Sequence, residues 1–275
     1  MSASPTLAII IVSHNARADL ERCLGSLAAA PPSISHAIVV VDNASTDGSV
    51  EAIRGGWPQV TVLEPGRNLG FAAANNLAIR STTSELLLLL NGDTLVPPGA
   101  IDALVRTLHA RPEVGIVGPR LVSDDGQPEL PPGGMLGPLA ELRRSLIGRL
   151  LAAGCPPVVR WVNRQSRREL HPDWVSGACL LVSRRDAEAA GLLDERFFLY
   201  FEDVDFCAAV RARGRRVLVT PAVEIVHRRG RSWHAAPEAT RRAYRLSQIE
   251  FYRKHRPRLV PLLRAYLRLT GRPAA

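Results

Sequence analysis

The sequence lacks any apolar run long enough to cross a membrane, and it has few cysteines. Its longest apolar runs, residues 7–12 and 86–90, fall far short of the roughly 20 residues that a spanning helix needs. The four cysteines lie far apart and form no CxxC pair, which excludes a disulfide scaffold and a zinc ribbon and favours a reducing compartment. No basic residue precedes the first apolar run, so we expect no secretory signal peptide. We therefore expect a cytoplasmic protein, either free or peripheral on the inner face of the membrane.

The composition is that of a globular chain whose charge is concentrated at one end. Of the 275 residues, 46% are hydrophobic and 22% are charged, which excludes a wholly disordered chain. Residues 1–140 hold 8 basic and 13 acidic residues, whereas residues 204–275 hold 17 and 4. A basic segment of this kind attracts phosphate groups, which nucleic acids, anionic lipids and diphosphate substrates all carry. Charge alone does not select among these partners.

The first hundred residues alternate strand and helix patterns. Short and almost wholly apolar runs, which predict strands buried on both faces, occur at 7–12, 37–41, 60–63 and 85–90. Amphipathic or capped segments, which predict helices, occur at 17–29, 47–54, 70–80 and 98–110. This alternation predicts an α/β fold with a mostly parallel sheet flanked by helices.

The remainder of the chain is less regular. A loop is predicted at 123–138, where Pro, Gly and Asp are frequent. The further predicted strands are 174–182, 215–219 and 222–227. The further predicted helices are 138–151, a short helix capped by Ser183 and Asp186, 204–213, and a segment from 237 onward with a break at Pro257. This last segment forms a basic helical extension at the C-terminus.

Polar residues follow each of the first four predicted strands, at the end where ligands bind in open parallel sheets. Ser13 and Asn15 follow the first strand, in a loop that is not GxGxxG and so argues against a dinucleotide-binding domain. The residues that follow the second, third and fourth strands include Asp42, Asn68, Gly70, Asn75, Asn91 and Asp93. Several polar loops converging on one edge predict a site for a polar ligand.

Two aspartates in these loops have alternative interpretations. Asp42 either accepts a hydrogen bond from a nucleobase or sugar, or caps a helix. Asp93 either binds a divalent cation together with a diphosphate, or belongs to a turn with the preceding Asn91-Gly92. The sequence leaves both pairs of interpretations open.

Adjacent carboxylates, Glu202 and Asp203, follow the bulky run 197–201. Apolar surroundings raise the pKa of a carboxyl group, which suits a general acid or base. The alternative is that these residues stabilise the first turn of a helix, where an acidic side chain contributes about 0.3–1 kcal/mol. That electrostatic effect does not explain why they directly follow five bulky residues.

Further candidates lie on either side of these carboxylates. His227 follows a predicted strand and is either a metal ligand or a structural histidine. The arginines at 228, 229 and 231 either bind a diphosphate or form a solvated basic face. Trp174, three residues before Gly177, either stacks on a sugar or belongs to the core.

Taken in chain order, these segments resemble glycosyltransferase family 2, and within it the rhamnosyltransferase-like members. The matching segments are 10–15, 41–49, 68–76, 88–94, 174–178, 198–205 and His227 with the arginines after it. Each segment alone is a weak signal, but the ordered set, which covers residues 6–235, is highly specific. The resemblance implies a GT-A type nucleotide-diphospho-sugar transferase fold.

The resemblance also implies a role for each matching position. It implies that Asp203 is the catalytic base, with Glu202 as the less favoured candidate. It implies a metal site at Asp93 and His227, with Asn91 standing where the family motif has its first aspartate. The residues expected to contact the nucleotide-sugar, with Asp42 on the nucleobase, are Ser13, Asn15, Asp42, Asn68, Gly70, Asn75, Asn91 and Asp93. The residues expected on the acceptor side are Trp174, Gly177 and Glu202.

The activity implied is inverting transfer of a sugar from a nucleotide-sugar to an acceptor hydroxyl, assisted by Mg²⁺ or Mn²⁺. L-rhamnose from dTDP-rhamnose or a hexose from a UDP-sugar is the expected donor group, and a cell-surface glycan or lipid-linked saccharide is the expected acceptor. We expect a catalytic domain at 1–236, with a nucleotide-sugar-binding half at 6–100 and an acceptor-binding half at 101–236. The extension at 237–275 either packs on this domain or lies on an anionic membrane.

Three competing hypotheses remain at this point. A nucleotidyltransferase would also bind a nucleotide and Mg²⁺, but it would usually carry a Gly-rich loop with a basic residue after the first strand. A nucleic-acid-binding protein would use the basic C-terminus, but it would leave the acidic loops unexplained. A catalytically inactive family member is disfavoured by the presence of Asp93, Asp203 and His227. Because a nucleic-acid-binding role leaves the acidic loops unexplained, we expect no nucleic-acid partner.

Overall fold

The computed structural model describes residues 4–228 and 237–270. Its strands are β1 (Leu7–Ser13), β2 (His36–Asp42), β3 (Thr61–Leu63), β4 (Leu86–Asn91), β5 (Thr94–Leu95), β6 (Val114–Val122), β7 (Cys179–Ser183) and β8 (Arg216–His227). Its α-helices are α1 (Arg17–Ala29), α2 (Ser49–Gly56), α3 (Phe71–Arg80), α4 (Ala100–His109), α5 (Pro138–Ala152), α6 (Pro156–Ser166), α7 (Arg184–Ala190), α8 (Glu202–Arg211), α9 (Pro237–His255) and α10 (Val260–Leu269).

The strands form one eight-stranded sheet in the order β3-β2-β1-β4-β7-β6-β8-β5. The pairs β1–β2, β1–β4, β2–β3 and β6–β8 are parallel, whereas the pairs that involve β7 or β5 are antiparallel. The predicted α/β fold with its mostly parallel sheet is confirmed.

The core lies on both faces of the sheet, as the continuous apolar run in β1 predicts. Leu7, Ile9 and Ile11 pack into the cluster on one face. Ala8 and Ile10, which alternate with them, pack into the cluster on the other face. Burial on both faces is what makes this strand apolar at every position rather than at every second one.

Several predicted boundaries in the second half of the chain are wrong. The predicted strand 174–182 begins only at Cys179, because residues 174–178 form a loop that leads into the sheet. β6 and α6 were not predicted from the pattern. The two predicted strands at 215–219 and 222–227 are a single strand, β8, whose pairing with β6 is irregular after Pro119. The predicted cap of α7 is confirmed, since the Ser183 side chain accepts a hydrogen bond from the backbone N–H of Asp186 at 3.0 Å.

The C-terminal extension packs against the rest of the fold. Phe251 and Tyr252 of α9 are buried in a third apolar cluster together with Phe197, Phe201 and Leu136. The rings of Phe201 and Phe251 lie 5.2 Å apart. Charged contacts add to the packing: the Asp205 carboxylate accepts from Lys254 Nζ at 2.8 Å and contacts His255 Nε2 at 2.6 Å. Among the described helices, none is both long enough and apolar enough to span a bilayer.

Candidate functional site

The register of the parallel strands brings the predicted polar loops together at one edge of the sheet. Ser13 pairs with Asp42 at the ends of β1 and β2, and Val12 pairs with Asn91 at the end of β4. The backbone N–H of Asn43 donates to the carbonyl of Ser13 at 2.8 Å, which holds the first two loops side by side. The predicted convergence of these loops is therefore observed.

Several predicted site residues carry a buried polar atom without a hydrogen-bond partner. Such atoms are rare in folded proteins, so each one calls for an explanation. Within the described residues they are Ser13 Oγ, Asp42 Oδ1, Asn75 Oδ1, Ser84 Oγ, Trp174 Nε1 and Glu202 Oε2. Five of these six atoms belong to predicted site residues, which is the pattern of a site whose ligand supplies the missing partners.

The two carboxylate oxygens of Asp42 have different surroundings. Its Oδ2 accepts a hydrogen bond from the backbone N–H of Ser45 at 2.9 Å, while Oδ1 is one of the unpartnered atoms. Asn15 serves the loops themselves, because its Oδ1 accepts from the backbone N–H of Thr46 at 2.7 Å. Asn15 has a φ of 50°, a left-handed conformation that asparagine tolerates better than most residues.

Gly70 is required by a close approach of two backbone segments. Its φ is 80°, and a Cβ atom there would lie 2.4 Å from the carbonyl oxygen of Phe198. Asn68 supports this turn, because its Oδ1 accepts from the backbone N–H of Gly70 at 2.9 Å. Asn75 donates from Nδ2 to the carbonyl of Phe71 at 2.9 Å and leaves Oδ1 unpartnered. The loop after β3 is thus joined to the segment just before the two acidic residues of α8.

A cavity of about 660 Å³ opens next to these loops. It brings together the predicted catalytic, acceptor-side and metal residues and one further predicted nucleotide-sugar residue, Asn91. The predicted residues in its lining are Asn91, Asp93, Trp174, Gly177, Glu202, Asp203 and His227. The other predicted nucleotide-sugar residues are not among its lining residues; they are Ser13, Asn15, Asp42, Asn68, Gly70 and Asn75. The predicted residues therefore form two neighbouring groups, one in the cavity and one on the loops around the ends of β1, β2 and β3.

Asp203 is held in place by backbone donors. Its Oδ2 accepts from the N–H of Gly177 at 2.9 Å, and its Oδ1 accepts from the N–H of Val204 at 2.8 Å. Burial raises the pKa of Asp203, and these N–H groups oppose that effect without cancelling it. The preceding residues Tyr200 and Phe201 have φ values of 69° and 70°, which is unusual for aromatic residues and indicates local strain at the start of α8.

Glu202 differs from its neighbour because it is almost wholly inaccessible, with 5% of its surface exposed. Burial, and then the charge of Asp203, raises the pKa of Glu202 well above its ordinary value. Its Oε2 is one of the unpartnered atoms. These properties favour a neutral carboxyl group at Glu202, and they leave Asp203 as the better candidate for a base.

Trp174 lies in the wall of the cavity with its indole Nε1–H unpartnered. The guanidinium carbon of Arg144 lies 4.8 Å from the centre of the indole ring. Arg144 also donates to the carbonyl of Pro131 at 2.8 Å, and its charge opposes the rise in the pKa of Asp203. One face of the indole thus holds a cation, so Trp174 orients an arginine in the cavity wall.

His227 lies at the end of β8, opposite Thr94 of β5, and its two ring nitrogens have different surroundings. Nε2 lies 3.4 Å from Oδ1 of Asp93 and 3.5 Å from Nδ2 of Asn91. Nδ1 lies 2.8 Å from Oε1 of Glu129. Burial alone would lower the pKa of His227, but hydrogen bonds with Asp93 and Glu129 outweigh it and raise the pKa to about 9.

Asp93 and His227 could supply part of the coordination of a divalent cation, with a substrate supplying the rest, once the cation has displaced the proton from Nε2 of His227. Within the described residues, no three His, Cys, Asp or Glu side chains form a full metal-binding group, so Asp93 and His227 would supply only part of the coordination. Hard cations are commonly held by one or two carboxylates together with substrate phosphates. A carboxylate on the far nitrogen, here Glu129, is the usual support of a metal-binding histidine.

The arginines after His227 are only partly described. Arg228 pairs with Asp124 at 2.6 Å and with Asp19 at 3.2 Å, and its backbone N–H donates to the carbonyl of Asp93 at 2.9 Å. These contacts give Arg228 a structural role beside the cavity. The arginines at 229 and 231 lie outside the described residues.

Sequence reasoning missed three residues of this site: Glu129, Glu141 and Arg144. Glu141 and Arg144 line the cavity from α5, and Glu129 contacts His227 from the loop after β6. The sequence predicts the helix α5. It does not predict which face of that helix lines the cavity, because this depends on the tertiary structure. Glu129 lies in a Pro- and Gly-rich segment that carries no local signal for a partner 98 residues away.

Comparisons with known proteins agree with this geometry. Residues 8–170 match the family described as Glycosyl transferase family 2. The chain is 31% identical over 264 residues to N-acetylglucosaminyl-diphospho-decaprenol L-rhamnosyltransferase of Mycobacterium tuberculosis, covering 89% of this chain and 83% of that protein. It is 29% identical over 265 residues to an O-antigen biosynthesis protein of Myxococcus xanthus, covering 92% of this chain and 19% of that protein.

The fold is similar to that of a mannosyltransferase from Pyrobaculum calidifontis, solved in complex with GDP-Man and Mn²⁺. The TM-score is 0.63 at 21% sequence identity, and the match covers 96% of this chain and 70% of that one. This similarity confirms the predicted GT-A fold.

Proposed function

We propose that this chain, which belongs to glycosyl transferase family 2 and is a glycosyltransferase, transfers L-rhamnose from dTDP-rhamnose to a lipid-linked saccharide. The Mycobacterium tuberculosis relative, whose name specifies rhamnosyl transfer and a diphospho-decaprenol, supports this choice of donor and acceptor. A hexose from a UDP-sugar is the second candidate, since the fold alone does not distinguish nucleotides. The reaction would be part of glycan biosynthesis on the cytoplasmic side of the membrane.

The observation that supports the proposal is that one cavity contains both a candidate base and a candidate metal site. Asp203 lines the cavity together with Asp93 and His227. A base is needed at the acceptor hydroxyl, and positive charge is needed at the leaving diphosphate. Asp203 would meet the first need, and a divalent cation held by Asp93 and His227 would meet the second, within one cavity of about 660 Å³.

We propose that Asp203 takes the proton of the acceptor hydroxyl. The hydroxyl oxygen then forms a bond to the anomeric carbon as the bond from that carbon to the diphosphate oxygen breaks, and the electron pair leaves with the diphosphate. A single displacement of this kind inverts the anomeric configuration. The hydrogen bonds from Gly177 and Val204 fix the carboxylate before substrate arrives, so little orientation is lost in the transition state.

Asp93 and His227 would hold a divalent cation against the diphosphate, with Glu129 orienting the imidazole. When bound, the cation neutralises the charge that develops on the leaving diphosphate. Asp42 Oδ1 would accept a hydrogen bond from the nucleobase, and the loops that carry Ser13, Asn68, Gly70 and Asn75 would enclose the nucleotide. The neutral Glu202 would donate a hydrogen bond from its carboxyl group to the acceptor saccharide.

We propose that the catalytic domain comprises residues 1–236 and that its two halves bind different substrates. We propose that residues 6–100 bind the donor, because the loops after β1, β2 and β3 lie there. Residues 101–236 would bind the acceptor, because Trp174, Gly177 and Glu202 lie there. The extension from 237 would brace the acceptor side through the contact between Phe251 and Phe201.

The proposal is tested by a transfer assay with the purified chain and a polyprenyl-diphosphate saccharide acceptor. The assay compares dTDP-rhamnose with UDP-glucose and UDP-galactose in the presence of Mn²⁺ or Mg²⁺. We expect product with dTDP-rhamnose, with the configuration at its anomeric carbon inverted as judged by NMR. Transfer from a UDP-sugar alone would replace the donor assignment, and retention of configuration would overturn the mechanism.

A further inference from the structure

Helix α5 exposes a stripe of leucines to solvent. Its leucines at 139, 142, 146 and 150 have 82%, 68%, 56% and 37% of their surfaces exposed. At 3.6 residues per turn these positions fall within an arc of roughly 80° on the helix. A surface helix normally turns its apolar stripe towards the core, so this helix has the opposite arrangement.

The other face of α5 belongs to the cavity. Glu141, Arg144, Ser145 and Gly148 all line it. These positions centre on the side of the helix opposite the leucines, as expected from their spacing. No residue of α5 is fully buried, so the helix forms a thin wall between the cavity and the outside.

The segment that contains the leucine stripe is strongly basic. Residues 138–168, which contain α5 and α6, hold seven arginines and one acidic residue. Arg143 and Arg149 are exposed and flank the leucines on the helix. An amphipathic helix with leucines on one face and arginines beside them is the composition that binds anionic bilayer surfaces.

We infer that α5 inserts its leucine face into the surface of an anionic membrane and thereby holds the cavity against the bilayer. The inference rests on the proposed function, because a lipid-linked acceptor would carry its saccharide from the bilayer to the other face of the same helix. The charge of the 138–168 segment selects an anionic lipid surface over a neutral one. The sequence suggested the C-terminal extension as a possible membrane contact. Buried residues of that extension pack on the fold, and we place the membrane contact on α5 instead.

The test is co-sedimentation of the full chain with lipid vesicles. Vesicles of phosphatidylcholine alone are compared with vesicles that also contain phosphatidylglycerol. The variant carries Leu139→Gln, Leu142→Gln and Leu146→Gln. A matched control carries three exposed leucines of the C-terminal helices changed in the same way, Leu246→Gln, Leu262→Gln and Leu269→Gln. All six side chains are exposed, so both variants are expected to keep the wild-type melting temperature.

We expect the wild type to sediment with the anionic vesicles and not with the neutral ones. The α5 variant should lose about tenfold or more of its vesicle affinity, because each leucine contributes through its buried apolar area. The control variant should stay within about twofold of the wild type. Wild-type affinity in the α5 variant, or no vesicle binding by the wild type, would overturn the inference. A dimer that dissociates in the α5 variant would assign the leucines to a second copy of the chain instead.

A second readout separates this inference from the proposed function. Transfer to a water-soluble, short-chain acceptor should be the same in the wild type and the α5 variant, because the leucines do not line the cavity. Transfer to an acceptor embedded in anionic vesicles should fall in the α5 variant alone. Absence of transfer to either acceptor in the wild type would count against the proposed function and would leave the vesicle-binding result to stand by itself.

Discussion

The backbone N–H of Gly177 donates a hydrogen bond to Oδ2 of Asp203 at 2.9 Å, across 26 residues of the chain. This bond joins the loop before β7 to the first turn of α8. A Cβ at Gly177 would lie 3.2 Å from the ring of Phe71, so a larger residue would displace the donor or the ring. The position of the carboxylate is therefore set by the backbone of a neighbouring loop as well as by its own helix.

The raised pKa of Asp203 predicts the acid side of the pH–rate profile. A general base is active when deprotonated, so kcat/KM should fall as the pH drops through its pKa. Because burial raises this pKa, the fall should occur above the ordinary range of an aspartate, which centres on about 3.9. The measurement is kcat/KM against pH for the wild type and for Glu202→Gln, which should retain the acid limb. A rate that stays constant down to about pH 4 would contradict the assignment.

Replacement of Glu129 should weaken metal binding although Glu129 is not one of the residues that we propose to coordinate the metal. In Glu129→Gln the imidazole of His227 loses its charged partner at Nδ1, and such changes typically cost about 10- to 100-fold in metal affinity. The Mn²⁺ affinity is measured by titration with Mn²⁺ in the presence of dTDP, and the titration is monitored by electron paramagnetic resonance. The control is Glu224→Gln, a change of a glutamate in β8 that pairs with Arg120. Equal Mn²⁺ affinity in both variants would show that Glu129 does not support the site.

Asp42→Asn should weaken donor binding while leaving the fold intact. One side-chain oxygen can still accept the hydrogen bond from Ser45, but an amide NH₂ would then replace the unpartnered Oδ1 that we propose accepts from the nucleobase. Loss of such a hydrogen bond corresponds to about tenfold in affinity. Calorimetric titration with dTDP measures it. Ser84→Ala removes another unpartnered buried oxygen and should leave affinity unchanged, so an equal effect of the two variants would contradict the proposed contact.

Phe251→Ala tests whether the C-terminal extension is part of the fold. Phe251 is fully buried and packs against Phe201, next to the acidic residues of α8. Truncation of a buried phenylalanine typically costs about 3–5 kcal/mol of unfolding free energy. Leu246→Ala on the same helix, where 45% of the side chain is exposed, should cost far less. Equal denaturation midpoints for the two variants would mean that the extension does not stabilise the domain.

The two central strands of the parallel half of the sheet, β1 and β4, were predictable because they are buried on both faces. Each is a short, continuous apolar run that ends at polar residues, so both its type and its functional edge can be inferred from the sequence. The convergence of Ser13, Asp42 and Asn91 follows from the rule that parallel strands share their carboxyl edge. These residues required no knowledge of long-range contacts.

β6 was not predicted, because glycines interrupt its apolar pattern. A Cβ at Gly115 would lie 2.8 Å from side-chain atoms of Val210 and Arg215, and one at Gly118 would lie 3.1 Å from Val175. These glycines serve close packing against neighbouring elements rather than a turn. Local sequence does not distinguish the two uses, since both require only that a side chain be absent.

The predicted strand at 174–182 failed for a related reason. Val175 is buried in the apolar cluster on one face of the sheet and Trp174 packs against that cluster, although neither residue belongs to a strand. The contacts of Glu129 with His227 and of Arg144 with Trp174 likewise depend on which loops and helix faces meet in the folded chain. Glu202 and Asp203 could be proposed as catalytic carboxylates from the sequence, whereas Glu129 and Arg144 could not be connected with the site.

The role of Asp203 as the base is tested by the variant Asp203→Asn, measured in parallel for sugar transfer and for donor binding. The amide cannot take a proton from the acceptor hydroxyl, but it keeps the size of the side chain and one acceptor oxygen. We expect kcat to fall by about 10²–10⁴-fold while the affinity for dTDP with Mn²⁺ stays close to that of the wild type. Turnover near the wild-type rate would contradict the assignment of Asp203 as the base.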